Sequence, residues 1–112
     1  MNVRAAIEAR LTDPELDAGA VAAAAGISIR YANTVLAREG TSIMRLILAR
    51  RLARCREALR DPSQAHRTLS EIAYGWGFSD MTHFSRRFKA AYGVLPSEDR
   101  SLAHPSGSAT RQ

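Results

Sequence analysis

One cysteine, one tryptophan and one lysine stand among the 112 residues. Cys55 alone leaves nothing to build an intramolecular disulfide framework, and a lone thiol fits a reducing compartment. Seven glycines and four prolines are too few for an all-β fold stitched together by turns. Long hydrophobic runs are absent: the longest uncharged stretch before the C-terminal tail, Ala18 to Ile29, has 12 residues, two of them glycine. A bilayer span needs ~20 apolar residues. The opening Met-Asn-Val-Arg carries neither an apolar export segment nor a cleavage signature. Together these absences predict a soluble, cytoplasmic protein without membrane partners. At 12.2 kDa there is no room for a large α/β enzyme.

What is present points to packed helices. Twenty residues are alanine, and 46% of the chain is hydrophobic although only 6% is aromatic. Net charge is +5, and arginine supplies 15 of the 16 basic groups. The excess is local: Arg45, Arg50, Arg51, Arg54, Arg56 and Arg60 are offset by Glu57 alone in residues 41–60. Such a basic face suggests a polyanionic partner. Two or three of these arginines, Arg54 among them, are expected to touch phosphate. Arg51 is expected to turn inward and hold subdomains together.

Periodicity and breakers divide the chain. Val3, Ile7 and Leu11 mark an amphipathic first helix, broken at Asp13-Pro14. A second helix covers Ala18 to Ala25 and closes at Gly26, and Ser28 caps a third that runs to Glu39. Ser42 caps a long helix, Ile43 to Arg60, with an apolar stripe of Met44, Leu48, Leu52, Cys55 and Leu59, widened by Ile43 and Ile47. Further helices are predicted over Ser70–Trp76, opened by Thr68 or Leu69, and, capped by Asp80, over Met81–Tyr92. Pro96 then opens a short turn. The expected organisation is a first subdomain over 1–42, a linker helix over 43–60, a second subdomain over 61–100 and a flexible tail over 101–112.

The two halves repeat. Val21-Ala22, Gly26-Ile27-Ser28, Val35-Leu36 and Gly40 correspond to Ile72-Ala73, Gly77-Phe78-Ser79, Arg87-Phe88 and Gly93. The offset is 51 up to the serine, 52 through the following helix and 53 at the closing glycine. A short helix, a glycine turn and a longer helix make the sequence form of a helix-turn-helix.

Residues 68–100 closely resemble the signature of the AraC/XylS family of transcription regulators. An I-A-x-x-x-G-F-x-D run followed by F-x-R-x-F-K-x-x-x-G-x-x-P is matched at Ile72, Ala73, Gly77, Phe78, Asp80, Phe84, Arg86, Phe88, Lys89, Gly93 and Pro96. Upstream, Gly26-Ile27-Ser28, Gly40-Thr41-Ser42 and Arg51-Leu52 resemble the family's first helix-turn-helix and linker. The resemblance implies an all-α domain of about seven helices, homeodomain-like, with two helix-turn-helix subdomains on a long linker helix. Each would place its second helix in a major groove. Arg30, Asn33 and Thr34 then fall at the base-facing sites of the first reading helix, and Met81, Thr82, Ser85 and Arg86 at those of the second. The chain departs from the pattern at Ala32 and Leu36, where leucine and phenylalanine are usual, so a thinner first core is expected. Thr34 stands where arginine is frequent, and Asp99 where tyrosine is usual.

Elementary chemistry leads the same way. Phe84, Phe88 and Tyr92 recur every four residues and call for burial. Met81, Thr82, Ser85, Arg86 and Lys89 share another face: arginine can bridge guanine O6 and N7, serine and threonine read several base edges, and methionine can touch a thymine methyl. Backbone N–H groups near Ser28 and Ser79, at helix starts, suit phosphate oxygens. If ~6–10 phosphates are neutralised, the slope of log K against log salt should be about −5 to −9. His66, His83 and His104 are scattered and form no ligand set, so no metal or cofactor is expected. Ser28 and Ser79 lack a paired histidine or aspartate, which argues against an enzyme. Trp76 and Tyr74 read as packing residues, and Cys55 as a small core residue. The expected function is sequence-specific binding of double-stranded DNA in transcription regulation, with RNA polymerase as a further partner. Two organisations are open: a small stand-alone regulator, or the C-terminal piece of a longer protein in which a sensor domain precedes this stretch. The alternative is a helical protein-interaction module with weakened base reading.

Overall fold

The computed structural model describes residues 2–105. Among them there are seven α-helices, one 3-10 turn and no strand: α1 (Val3–Ala9), α2 (Ala18–Ala25), α3 (Ile29–Ala37), α4 (Ile43–Arg60), the turn at Pro62–Gln64, α5 (Leu69–Gly75), α6 (Met81–Tyr92) and α7 (Pro96–Ala103). The chain divides into two compact units, Met1–Arg51 and Leu52–Gln112, so the boundary falls inside α4.

In the first unit each helix start is satisfied by a side-chain oxygen. Asn2 accepts from the Ala5 N–H at 2.7 Å, Asp17 from Ala20 at 2.8 Å and Ser28 from Tyr31 at 3.0 Å. Helix α1 stops at Ala9, short of the Leu11 expected from periodicity. Leu11 is nonetheless buried in the loop, and Ala6, Ile7, Leu16, Val21, Ala22, Ala32, Leu36, Ile43 and Ile47 form the rest of the core. All of these are aliphatic.

The inward stripe of α4 differs from the expected one. Ile43 and Ile47 are its buried start, whereas Met44 is 50% exposed and Leu48 only half-buried. In the sequence the 44–48–52 and 43–47 rows are equally apolar. The packing of unit 1 selects the latter, and Leu52, Cys55, Ala58 and Leu59 continue the burial in unit 2.

The second unit adds Ile72, Ala73, Phe78, Phe84 and Phe88 to that α4 segment. Thr68 and Glu71 cap α5 reciprocally: Thr68 Oγ1 accepts from the Glu71 N–H at 3.0 Å, and Glu71 Oε1 accepts from the Thr68 N–H at 2.7 Å. The helix therefore starts at Leu69, with Thr68 as its cap, the two residues expected to open it. The segment after Pro96 is a two-turn helix rather than a short turn, and α7 takes in residues 101–103 of the expected tail. His104 Nε2 donates to the Leu59 carbonyl at 3.1 Å. The remainder of that tail, 106–112, lies outside the described residues.

The internal repeat is visible in the backbone. Gly26 and Gly77 take φ of 74° and 97°, the left-handed region that other residues enter at a cost. One residue on, the N–H of Ile27 reaches back to the Ala22 carbonyl and that of Phe78 to the Ala73 carbonyl, both at 3.1 Å. The caps then differ. Ser28 follows Gly26 by two residues, whereas Asp80 follows Gly77 by three. That extra turn residue is the physical origin of the step from 51 to 52 in the repeat offset.

Candidate nucleic-acid interface

Helix α6 is held by an aromatic column. Phe78, Phe84, Phe88 and Tyr92 follow one another at ring-centroid distances of 5.0, 5.8 and 4.8 Å, and the Arg56 guanidinium lies 4.4 Å from the Tyr92 centroid. Phe84 and Phe88 are fully buried and Tyr92 is half-buried at the column's end. Asp80 Oδ1 accepts from the His83 N–H at 3.0 Å and sets the helix start beside the exposed Ser79. With this stripe turned inward, Thr82, Arg86 and Lys89 are exposed, and Met81 and Ser85 sit half-buried along the flank. Together with Ala90 and Leu95 they line one open groove of about 560 Å³. All five residues assigned to α6 from the sequence are therefore brought together, and among the described residues no ion pair ties up Arg86 or Lys89. Leu95 was missed. Its only signal in the sequence is an apolar residue at the cap position before Pro96, where a hydroxyl or carboxylate is favoured.

Helix α3 presents a weaker set. Arg30 and Thr34 are exposed, but the Thr34 hydroxyl donates to the Arg30 carbonyl at 2.8 Å. Asn33 is half-buried, and its Oδ1 accepts from the Ile43 N–H at 2.9 Å, capping the start of α4. Its carboxamide oxygen is thus committed to the fold. Ser28 stays exposed while capping α3. Tyr31, 60% exposed on the same helix, was not singled out from the sequence.

The arginine-rich helix is not the open basic face its composition suggests. In unit 1, Arg50 Nε lies 2.6 Å from a Glu8 carboxylate oxygen. Arg51, 9% exposed, donates to the carbonyls of Leu11 at 3.1 Å and Asp13 at 2.6 Å. It does turn inward, and the backbone it secures is the loop between α1 and α2. In unit 2, Arg54 lies 5.6 Å from the Trp76 ring centroid and 3.5 Å from Glu57. Arg56 and Arg60 converge on Asp99, which is 1% exposed, at 3.4 and 2.8 Å. Hydrogen bonds from Arg60 hold the Asp99 carboxyl below its ordinary value; burial opposes this, and the charges of Arg60 and Arg56 add to the lowering. Asp99 thus occupies the departure from the family pattern as an ion-pair anchor. Among the described residues, the exposed cations engaged by no ion pair are Arg30, Arg38, Arg45, Arg86, Arg87 and Lys89. Positive charge available to a partner has shifted from the linker helix toward α3 and α6.

Cys55 is fully buried, with Sγ 4.0 Å from the Ile72 carbonyl oxygen. Among the described residues no three histidine, cysteine or acidic side chains cluster closely enough to hold a metal ion. Among the described residues no single helix is long and apolar enough to cross a membrane.

Residues 21–101 match the family model of a helix-turn-helix domain. The chain is 34% identical to the transcriptional activator RhrA of Rhizobium meliloti over 102 residues, which is 91% of this chain and 32% of that protein. It is 34% identical to the transcriptional activator NphR of a Rhodococcus species over 94 residues, 84% of this chain and 27% of that protein. The chain thus spans a third or less of the length of these curated relatives. Among solved structures, the C-terminal domain of AraT, a response regulator from Geobacillus stearothermophilus, superimposes with a TM-score of 0.76 at 26% identity, covering 89% of this chain and 81% of that one.

Proposed function

The chain belongs to the AraC/XylS-type helix-turn-helix family of DNA-binding transcription regulators, and from that premise we propose that α6 is its principal reading helix. The observation that carries this is the face of Thr82, Ser85, Arg86 and Lys89, opposite a fully buried Phe84–Phe88 pair, with no ion pair on either cation. Arg86 is the base reader, bidentate to guanine. Lys89 neutralises phosphate, Thr82 and Ser85 supply hydrogen bonds to base edges, and Met81 offers an apolar edge. The starts of α3 and α6 at Ser28 and Ser79 contact phosphate. Helix α3 contributes through Arg30 and Thr34, while Asn33 positions α4 rather than reading a base. Arg54 acts through Trp76 and Glu57 and is a packing residue before it is a phosphate contact.

Relatives named as activators support positive control, with RNA polymerase as the second partner and a cytoplasmic setting. The length of those relatives supports a further, sensing region outside this stretch of chain.

The test is equilibrium binding to a duplex selected from a random pool, measured across a salt series. With four to six cations free to meet phosphate, log K should fall against log salt with a slope of about −4 to −5. A flat salt response, or no duplex selected at low salt, would instead favour the protein-interaction reading.

A further inference from the structure

We propose that Leu95, with Ala90, forms an apolar wall on which the deoxyribose face of a DNA strand packs, beside the phosphate neutralised by Lys89. The inference rests on α6 being the DNA-reading helix. Leu95 occupies the cap position of α7, where Ser, Thr, Asp or Asn would stabilise the helix by ~1 kcal/mol relative to an apolar residue. Leucine has no oxygen to cap with. The Glu98 carboxylate covers only the Leu95 N–H, at 2.8 Å. The side chain is 38% exposed and faces the groove that Arg86 and Lys89 line. An apolar group kept partly in water, at a site where a polar one would serve the fold better, is explained by a partner that covers it.

The chemistry of the groove names that partner. A nucleic-acid strand alternates anionic phosphates with the carbon face of a sugar, and here the cation Lys89 lines one groove with the apolar Ala90 and Leu95. The position along the helix favours sugar over base. The N-terminal residues of a helix-turn-helix reading helix meet base edges, whereas Lys89, Ala90 and Leu95 lie at and beyond the C-terminal end of α6. Leu95 therefore contributes affinity and orientation without sequence preference.

The experiment compares the full chain with Leu95→Ser and Leu95→Met on the selected duplex, on single-base variants of it and on a scrambled duplex, each over a salt series. Leu95→Ser should weaken every duplex by about three- to tenfold, the scale of losing roughly 25–55 Å² of apolar contact. The salt slope should not change, because an apolar contact releases no counterion. Serine also restores a cap, so the melting temperature should hold or rise, which separates lost binding from lost folding. Leu95→Met keeps the apolar surface and should recover binding to within about twofold. Unchanged affinity in Leu95→Ser overturns the proposal. So does a loss confined to duplexes with thymine at one position, which would make Leu95 a base reader, or a shift in slope, which would make its effect electrostatic. If the wild-type chain selects no duplex at all, the DNA-reading assignment of α6 falls and this inference falls with it.

Discussion

Helices α3 and α6 occupy the same place in a repeated backbone motif, and the offset of 52 pairs them residue by residue. Buried positions pair Ala32 with Phe84 and Leu36 with Phe88. Outer positions pair Arg30 with Thr82, Asn33 with Ser85, Thr34 with Arg86 and Ala37 with Lys89. The glycine turn and the two inward positions persist, while core volume and outer chemistry diverge. The motif therefore needs little: a left-handed glycine, a capped helix start and two apolar anchors one helical turn apart. Once these are in place the outer face is free to specialise, toward the fold in one unit and toward open cations in the other. In α6 it carries two cations without ion pairs. In α3 one polar residue caps the next helix and another bonds its own backbone.

The largest break in this comparison should come from the cores. Phe84→Ala removes the centre of the aromatic column and should cost ~3–5 kcal/mol in denaturant unfolding, whereas Ala32→Gly in the aliphatic unit should cost ~1 kcal/mol. Near-equal costs would mean that the column is not what anchors α6.

Asp99→Ala leaves Arg56 and Arg60 without their shared carboxylate. The loss should be about 1–3 kcal/mol, reduced from the fully buried case because both arginines are partly solvated. The same contact predicts an acid response. Because the folded-state pKa of Asp99 is depressed, its contribution is fully present above the unfolded value of 3.8 and disappears as pH falls through the lower folded value. Urea midpoints taken between pH 6 and pH 2 should fall less steeply in Asp99→Asn than in wild type.

Reading is the next contrast. Arg86→Ala should weaken binding to the selected duplex by ~1–3 kcal/mol and relax preference at one or two adjacent base pairs. Its counterpart Thr34→Ala should change binding by less than about 0.5 kcal/mol, because the hydroxyl is engaged with the Arg30 carbonyl. Mismatch profiles for both variants decide the matter: uniform weakening across all sequences in Arg86→Ala would make it a phosphate contact instead.

The smallest effect separates capping from reading at Asn33. Asn33→Ala should lower stability by ~1 kcal/mol through the lost α4 cap, with base preference unchanged in the same mismatch series. A changed preference at unchanged stability would return Asn33 to the reading face.

The sequence by itself determined most of the helices, the repeat and which face of α6 is exposed, because each is written in local signals. Spacings of three and four residues set which way a helix faces. Glycines stand where the backbone turns left-handed, and Ser28 and Asp80 stand where helix donors need an acceptor. Local signals are silent on which polar groups find each other across the fold. Arg51 reaches the carbonyls of Leu11 and Asp13, 40 and 38 residues away, and Arg60 reaches Asp99, 39 residues away. Neither partner shares a spacing, a motif or a helix with its arginine. The linker consequently reads as an open cationic face in composition and folds as a largely paired one. Met44 and Ile43 are equally apolar as letters, and only packing buried one and exposed the other. Long-range pairing and the choice between equivalent apolar rows depend on which surfaces meet, and that is decided by tertiary structure alone.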